Sequence, residues 1–123
     1  MKIKTLVIGG SGNLGSSLKK NNFFKNQFFP SSRVVNILKK KDITKYIQKH
    51  EINIIINCAA LARMKECELK KDKAFRINVV GSQNLIDVLK KIKGRSIKLV
   101  HISSDAVYPS QRGNYSEKWK IKP

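Results

Sequence analysis

Gly9-Gly10-Ser11-Gly12-Asn13-Leu14-Gly15 follows directly on the apolar run Ile3-Lys4-Thr5-Leu6-Val7-Ile8 and opens a helical pattern from Asn13 to Asn22. Glycine at 9, 12 and 15 gives G-x-x-G-x-x-G at a strand-to-helix turn. The chemistry there asks for glycine. A tight turn needs positive φ, a pyrophosphate needs close backbone approach, and the helix must lie flat on the strand. The free N–H groups of the helix N-terminus then face an anion. A mononucleotide P-loop is excluded, because Gly15 is followed by Ser16-Ser17 and the phosphate-reading lysine is missing.

Working outward, apolar runs alternate with helical patterns, the signature of a parallel α/β sheet. A second strand is expected at Val34–Leu38 and a third, the plainest, at Ile52–Cys58. The uninterrupted Ile54-Ile55-Ile56 predicts a strand buried on both faces. Asp42 reads as the N-cap of a short helix with Ile43, Tyr46 and Ile47 on one face. A long helix is expected from Asp72 to Lys93, its stripe formed by Ala74, Ile77, Gly81, Leu85, Val88, Leu89 and Ile92. Gly94 is its natural stop, and Lys98–Ser103 reads as a fourth strand. The segment Phe23–Pro30 reads as a link packed under the sheet edge, and Pro109–Pro123 as a turn-rich tail. Together these predict an α/β, Rossmann-type, doubly wound parallel sheet in strand order 2-1-3-4, with helices on both faces and truncated at about four strands.

At 123 residues the chain holds one domain, read as a single partial NAD(P)-binding domain over 1–123. The formal charge of +18 comes mostly from lysines scattered in pairs such as Lys19-Lys20, Lys70-Lys71 and Lys90-Lys91. That distribution reads as solvated surface, and no nucleic-acid partner is expected. Cys58 and Cys67 have the spacing of neither a metal knuckle nor a C-x-x-C pair, so no metal is expected and both read as reduced thiols of a cytoplasmic protein. The first apolar run ends at Gly9-Gly10, too soon for a signal peptide, and no membrane span is predicted.

A site that prefers NAD places an acid about 20 residues after the glycines, on the ribose diol. This chain has Lys39-Lys40-Lys41 in that region, which suits a 2′-phosphate, so NADP(H) is favoured over NAD(H).

Asn57-Cys58-Ala59-Ala60 resembles the N-A-A-A motif of extended short-chain dehydrogenases/reductases. With the glycine loop, Asp42-Ile43-Thr44, Ile77-Asn78-Val79, Asn84-Leu85 and His101-Ile102-Ser103-Ser104-Asp105, the chain is most similar to sugar-nucleotide reductases of the dTDP-4-dehydrorhamnose reductase type. The resemblance implies hydride transfer from NADPH to a keto carbon of a nucleotide-activated sugar, in a protein that forms a homodimer at full length. It implies a cofactor site of Gly9, Gly12, Asn13, Leu14, Gly15, Asp42, Ile43, Asn57, Cys58, Ala59, Ala60, Leu61 and Ser103. It makes Ser104 the catalytic hydroxyl on the substrate carbonyl and Asp105 a substrate contact.

Departures are visible too. Leu61, Arg63, Lys65 and Glu66 do not follow the family pattern, which puts the substrate in question. Tyr108 lies only four residues after Ser104, too near to be the family's proton donor. The Y-x-x-x-K pair and the substrate lobe are absent from the 123 residues. From that absence the chain is expected to be inactive alone, with its long-helix stripe and fourth-strand edge partly uncovered. Other readings are a non-catalytic nucleotide-binding regulatory subunit, or a related sugar-nucleotide epimerase or dehydratase.

Overall fold

The computed structural model describes all residues except 1, 22–24, 110, 112 and 122–123. Strand β1 spans Thr5–Ile8, β2 Gln27–Phe28, β3 Ile54–Asn57 and β4 Lys98–His101. They form one parallel sheet, as the alternation of runs predicts, in the order β2-β1-β3-β4 expected of the Rossmann-type reading. In register, Leu6 sits beside Ile55, and Ile55 beside Leu99. Helix α1 spans Asn13–Lys20 and α2 Lys40–His50. Short helices α3, Met64–Leu69, and α4, Lys71–Phe75, precede a π-helical turn over Arg76–Gly81. Helix α5, Ser82–Lys91, continues from it, and Gly94 stands just past its end at φ 76°.

The core lies on the sheet face that carries Leu6, Ile8 and Ile55. Ile43 and Ile47 of α2, and Leu85 and Val88 of α5, close over it. The opposite face is less well covered: Val7 is buried, whereas Ile54 and Ile56 are half-buried. The expectation that β3 is sealed on both faces therefore holds for one face only.

Two expectations are corrected, and a third in part. The second strand is not Val34–Leu38. It lies at Gln27–Phe28, inside the segment read as a link, of which residues 23 and 24 are outside the described residues. Val35 and Ile37 are buried and the residues between and after them less so, which mimics the period of a strand. Their backbone makes turns instead. The Val34 and Val35 N–H groups donate to the Ser31 carbonyl, and the Asn36 side chain accepts from the Leu38 N–H at 2.9 Å. A side-chain acceptor has taken the place of a ladder partner. The two-residue β2 is held on α2 by its side chain, because the Phe28 ring meets His50 at 4.8 Å and Tyr46 at 6.3 Å between centroids.

Asp42 is not an N-cap. Lys39 occupies that position, and the Asp42 carboxylate, in the first turn of α2, accepts from the Asn36 N–H at 3.4 Å. Finally, the stripe of the long helix is covered at Gly81, Leu85 and Val88, which are buried, and half-covered at Ala74, Ile77, Leu89 and Ile92. The uncovered apolar side chains are its other face, Phe75, Val79, Val80 and Ile86, together with Val100 on the edge strand.

Candidate cofactor and active site

A cleft of about 960 Å³ opens at the carboxyl ends of β1 and β3. Gly9, Gly10, Ser11 and Gly12 form one wall, Cys58, Ala59 and Ala60 the floor, and Phe29 to Ser32 with Val35 to Leu38 the far wall. Ile77 of the π-helical turn also reaches it.

The three motif glycines are required for three different reasons. Gly9 has φ 82°, and a Cβ there would stand 2.5 Å from the Ala59 backbone nitrogen. A Cβ on Gly15 would stand 2.3 Å from the Gly9 carbonyl oxygen and 2.6 Å from the Gly10 Cα. These two let strand, loop and helix touch one another. Gly12 differs: its φ is −74°, and nothing but the Gly9 carbonyl oxygen, at 3.5 Å, lies near a Cβ there. Its side chain would project into open cleft, so the space it leaves is free to take a ligand. No side chain caps α1 and no acid lies in its first turn, so Asn13, Leu14 and Gly15 present backbone N–H groups to that space. The residue set fits a pyrophosphate.

Of the expected cofactor residues, Gly9, Gly12, Cys58, Ala59 and Ala60 line the cleft. Asn13 and Leu14 have exposed side chains and offer only backbone, while Gly15 is buried beneath the loop. Asn57 is buried; its Oδ1 accepts from the Ala59 N–H at 3.1 Å and its Nδ2 faces His101 Nδ1 at 3.2 Å. It shapes the floor without forming it. Burial pushes the Cys58 thiol above its ordinary range, so it is a neutral, small floor residue.

Asp42 and Ile43 are not in the site. Ile43 is fully buried in the core, and Asp42 is turned to the Asn36 backbone. The wall expected from them is supplied by Asn36-Ile37-Leu38, six residues earlier. The displacement follows from an early helix start: α2 begins three residues before an N-cap at Asp42 requires, so Asp42 and Ile43 lie within its first turns. For the same reason Lys39, Lys40 and Lys41 do not line the cleft, and Lys40 pairs with Asp87. The lining instead contains Lys19 and Lys20 and, three and four residues past β2, Ser31 and Ser32, with no acid among the described residues. Lys19-Lys20 was legible as a basic pair, but nothing in the sequence pointed it at a ligand.

Ser103, Ser104 and Asp105 follow β4 and are exposed, beside the β3 end to which the Ile102 N–H donates at the Asn57 carbonyl, 3.2 Å. Ser104 caps the 3-10 turn Asp105–Val107, its Oγ accepting from the Ala106 N–H at 3.1 Å. Among the described residues no three His, Cys, Asp or Glu side chains gather as a metal site, and no helix is long and apolar enough to cross a membrane.

A parallel sheet ordered β2-β1-β3-β4, with a glycine turn from β1 into α1 and a cleft at the strand ends, defines a protein of the Rossmann class. Its sequence narrows the class: the chain belongs to the RmlD substrate binding domain family, matched over residues 1–123. A dTDP-4-dehydrorhamnose reductase from Aggregatibacter actinomycetemcomitans is 30% identical over 125 residues, covering 98% of this chain and 41% of that protein. Methionine adenosyltransferase 2 subunit beta from Xenopus laevis is 29% identical over 124 residues, covering 93% and 36%. Among solved structures, a dTDP-4-dehydrorhamnose reductase from Clostridium acetobutylicum superposes with a TM-score of 0.82 at 27% identity, over 98% of this chain and 43% of that one. The dTDP-4-dehydrorhamnose reductase of Bacillus anthracis, solved in complex with NADP, does so with 0.79 at 27% identity, over 91% and 40%. The chain thus spans 30% to 41% of the length of the first curated relatives it matches.

Proposed function

We propose that these 123 residues are a single, partial dinucleotide-binding domain of an NADP(H)-dependent reductase of sugar nucleotides, acting on a 4-keto sugar. The observation that carries the reading is the cleft itself: a ligand-sized gap above Gly12, open helix N–H groups, a floor of small residues and no acid in its lining. The NADP-bound relative supports the choice of cofactor, and the reductase names among the relatives support the substrate class.

When bound, NADPH supplies the hydride. The chain's own residues orient and polarise. The N–H groups after Gly12 would hold the pyrophosphate, and Lys19 and Lys20, with the Ser31 and Ser32 hydroxyls, would meet the 2′-phosphate. Cys58 to Ala60, small residues at the end of β3, would leave room for the ribose. Ser104 donates its hydroxyl proton in a hydrogen bond to the substrate carbonyl oxygen, and Asp105 accepts from a sugar hydroxyl. The Ala106 N–H already on Ser104 Oγ draws charge from that oxygen and strengthens the O–H as a donor. The Tyr and Lys that the resemblance assigns to proton delivery do not occur at their spacing in these residues, so the chain alone is expected to bind cofactor without reducing sugar.

The relative named as a subunit of methionine adenosyltransferase favours a second reading, in which the same cleft binds a dinucleotide and no reduction follows. Calorimetry with NADP⁺ and NAD⁺ tests the binding: NADP⁺ is expected to bind more tightly, and Lys19→Glu with Lys20→Glu to erase the difference. Failure of both dinucleotides to bind refutes the proposal. Joining the chain to the C-terminal portion of a family reductase then separates the readings, since only the first gives sugar-nucleotide reduction that Ser104→Ala removes.

A further inference from the structure

The long helix carries two asparagines, Asn78 and Asn84, that the resemblance singles out and the proposed chemistry does not use. Each of them ties down a loop that walls the cleft. Asn78, in the π-helical turn, makes a two-point contact with a single residue: its Oδ1 accepts from the Leu61 N–H at 2.8 Å and its Nδ2 donates to the Leu61 carbonyl at 3.0 Å. The Cys67 thiol donates to the same carbonyl at 3.1 Å. Leu61 lies beyond the end of β3, where no ladder fixes the chain, and it directly follows the floor residue Ala60. Asn84 is buried and its Nδ2 donates to the Ile37 carbonyl at 3.1 Å, in the loop that forms the opposite wall. The helix also comes close there, since a Cβ on Gly81 would stand 2.9 Å from Ile37 Cγ2.

The π-helical turn makes the two ties compatible. One extra residue in a turn shifts the phase of everything before it. Asn78 and Ile77 therefore face the β3 loop while Leu85 and Val88 still face the core. The Asn78 carbonyl also accepts from the Ser82 hydroxyl at 2.7 Å. A wide turn kept in place at a loop clamp is a functional arrangement more often than an accident.

We propose that Asn78 and Asn84 are positioning residues that set the two walls of the cleft independently, Asn84 the adenosine wall and Asn78 the nicotinamide wall. The inference rests on the dinucleotide reading of the cleft. The adenosine of a dinucleotide lies over the β2 side of such a sheet, where the ribose-reading position falls, and the other nucleotide lies over β3 and β4. The loop at Ile37 follows β2 and the loop at Leu61 follows β3, so each asparagine governs one half of the ligand.

Two probes separate the halves: NADP⁺, which spans both walls, and 2′,5′-ADP, which occupies only the first. Asn78→Ala is expected to weaken NADP⁺ about ten-fold, as losing two hydrogen bonds warrants, and to leave 2′,5′-ADP within about two-fold. Asn78→Asp keeps the acceptor for the Leu61 N–H and is expected to fall between the two. Asn84→Ser is expected to weaken both probes by the same factor. In the free protein, hydrogen exchange at the Leu61 amide is expected to speed up in Asn78→Ala and not in Asn84→Ser. That measurement also reads the clamp in a variant with reduced stability. Equal loss of both probes in Asn78→Ala, or no loss of either, overturns the inference. If the unsubstituted chain binds neither probe, the dinucleotide reading itself falls and takes this inference with it.

Discussion

Gly12 and Gly15 stand three residues apart in one motif, and the structure predicts that replacing them breaks different things. A methyl on Gly15 would lie 2.3 Å from the Gly9 carbonyl oxygen, more than an ångström inside the roughly 3.5 Å of ordinary contact. The obstacles are backbone atoms of Gly9 and Gly10, and Gly9 cannot retreat, because it already lies against the Ala59 backbone. Overpacking of that kind costs about 3 kcal/mol, and the better helix propensity of alanine returns about 1. The net loss of about 2 kcal/mol lowers the melting temperature of a domain this size by roughly 6 to 10 °C. Gly12→Val meets no such obstacle. Its φ of −74° and ψ of 174° suit a branched residue, so melting is expected within about 2 °C of the parent. The valine side chain fills the gap above the loop, however, and NADP⁺ binding is lost. Thermal melting by circular dichroism and calorimetric titration on the same three samples read both effects. A Gly15→Ala chain that melts with the parent, or a Gly12→Val chain that still binds NADP⁺, refutes the division of labour.

Leu85→Ala, at a fully buried position under the sheet, is expected to cost about 3 kcal/mol in chemical unfolding, whereas exposed Ile86→Ala should cost less than about 1; similar losses would mean that the faces of α5 are misassigned. Because burial raises the Cys58 thiol, iodoacetamide should modify it more slowly than free glutathione at mildly alkaline pH. The folded state holds that proton more tightly than the unfolded one, so the same burial takes stability away as pH rises above the ordinary thiol range. Faster modification of Cys58 than of glutathione would contradict its placement. The Glu51 carboxylate is held below its ordinary range, first by the hydrogen bond from Lys4 and then by the Lys4 charge. Its contribution is present above the unfolded carboxylate value and disappears as pH falls through the folded one, so Glu51→Gln should flatten the acid limb of a melting-versus-pH curve. An unchanged acid limb would show that the exposed pair contributes nothing.

The sequence by itself determined the class of fold and the part of the site where local rules are strict. The glycine spacing names its own loop, because positive φ and contact with backbone exclude every other side chain at Gly9 and Gly15. The run Ile54–Asn57 names an interior strand, and the parallel pairing follows from the alternation of elements. Tertiary structure alone decided what lies between β1 and α2. Val35 and Ile37 alternate toward the core as strand residues do, yet Asn36 turns the chain with its own side chain, and the real strand is two residues held by Phe28 on α2. Burial period tells which side chains point inward, and says nothing of where the backbone hydrogen bonds go. That one ambiguity displaced Asp42, Ile43 and Lys39 to Lys41 from the cleft and brought in Asn36 to Leu38, while Lys19 and Lys20 reach it from α1. The clamps at Leu61 and Ile37 were illegible for a related reason: each joins residues 17 or 47 positions apart through a side-chain amide, and no local pattern encodes such a partner.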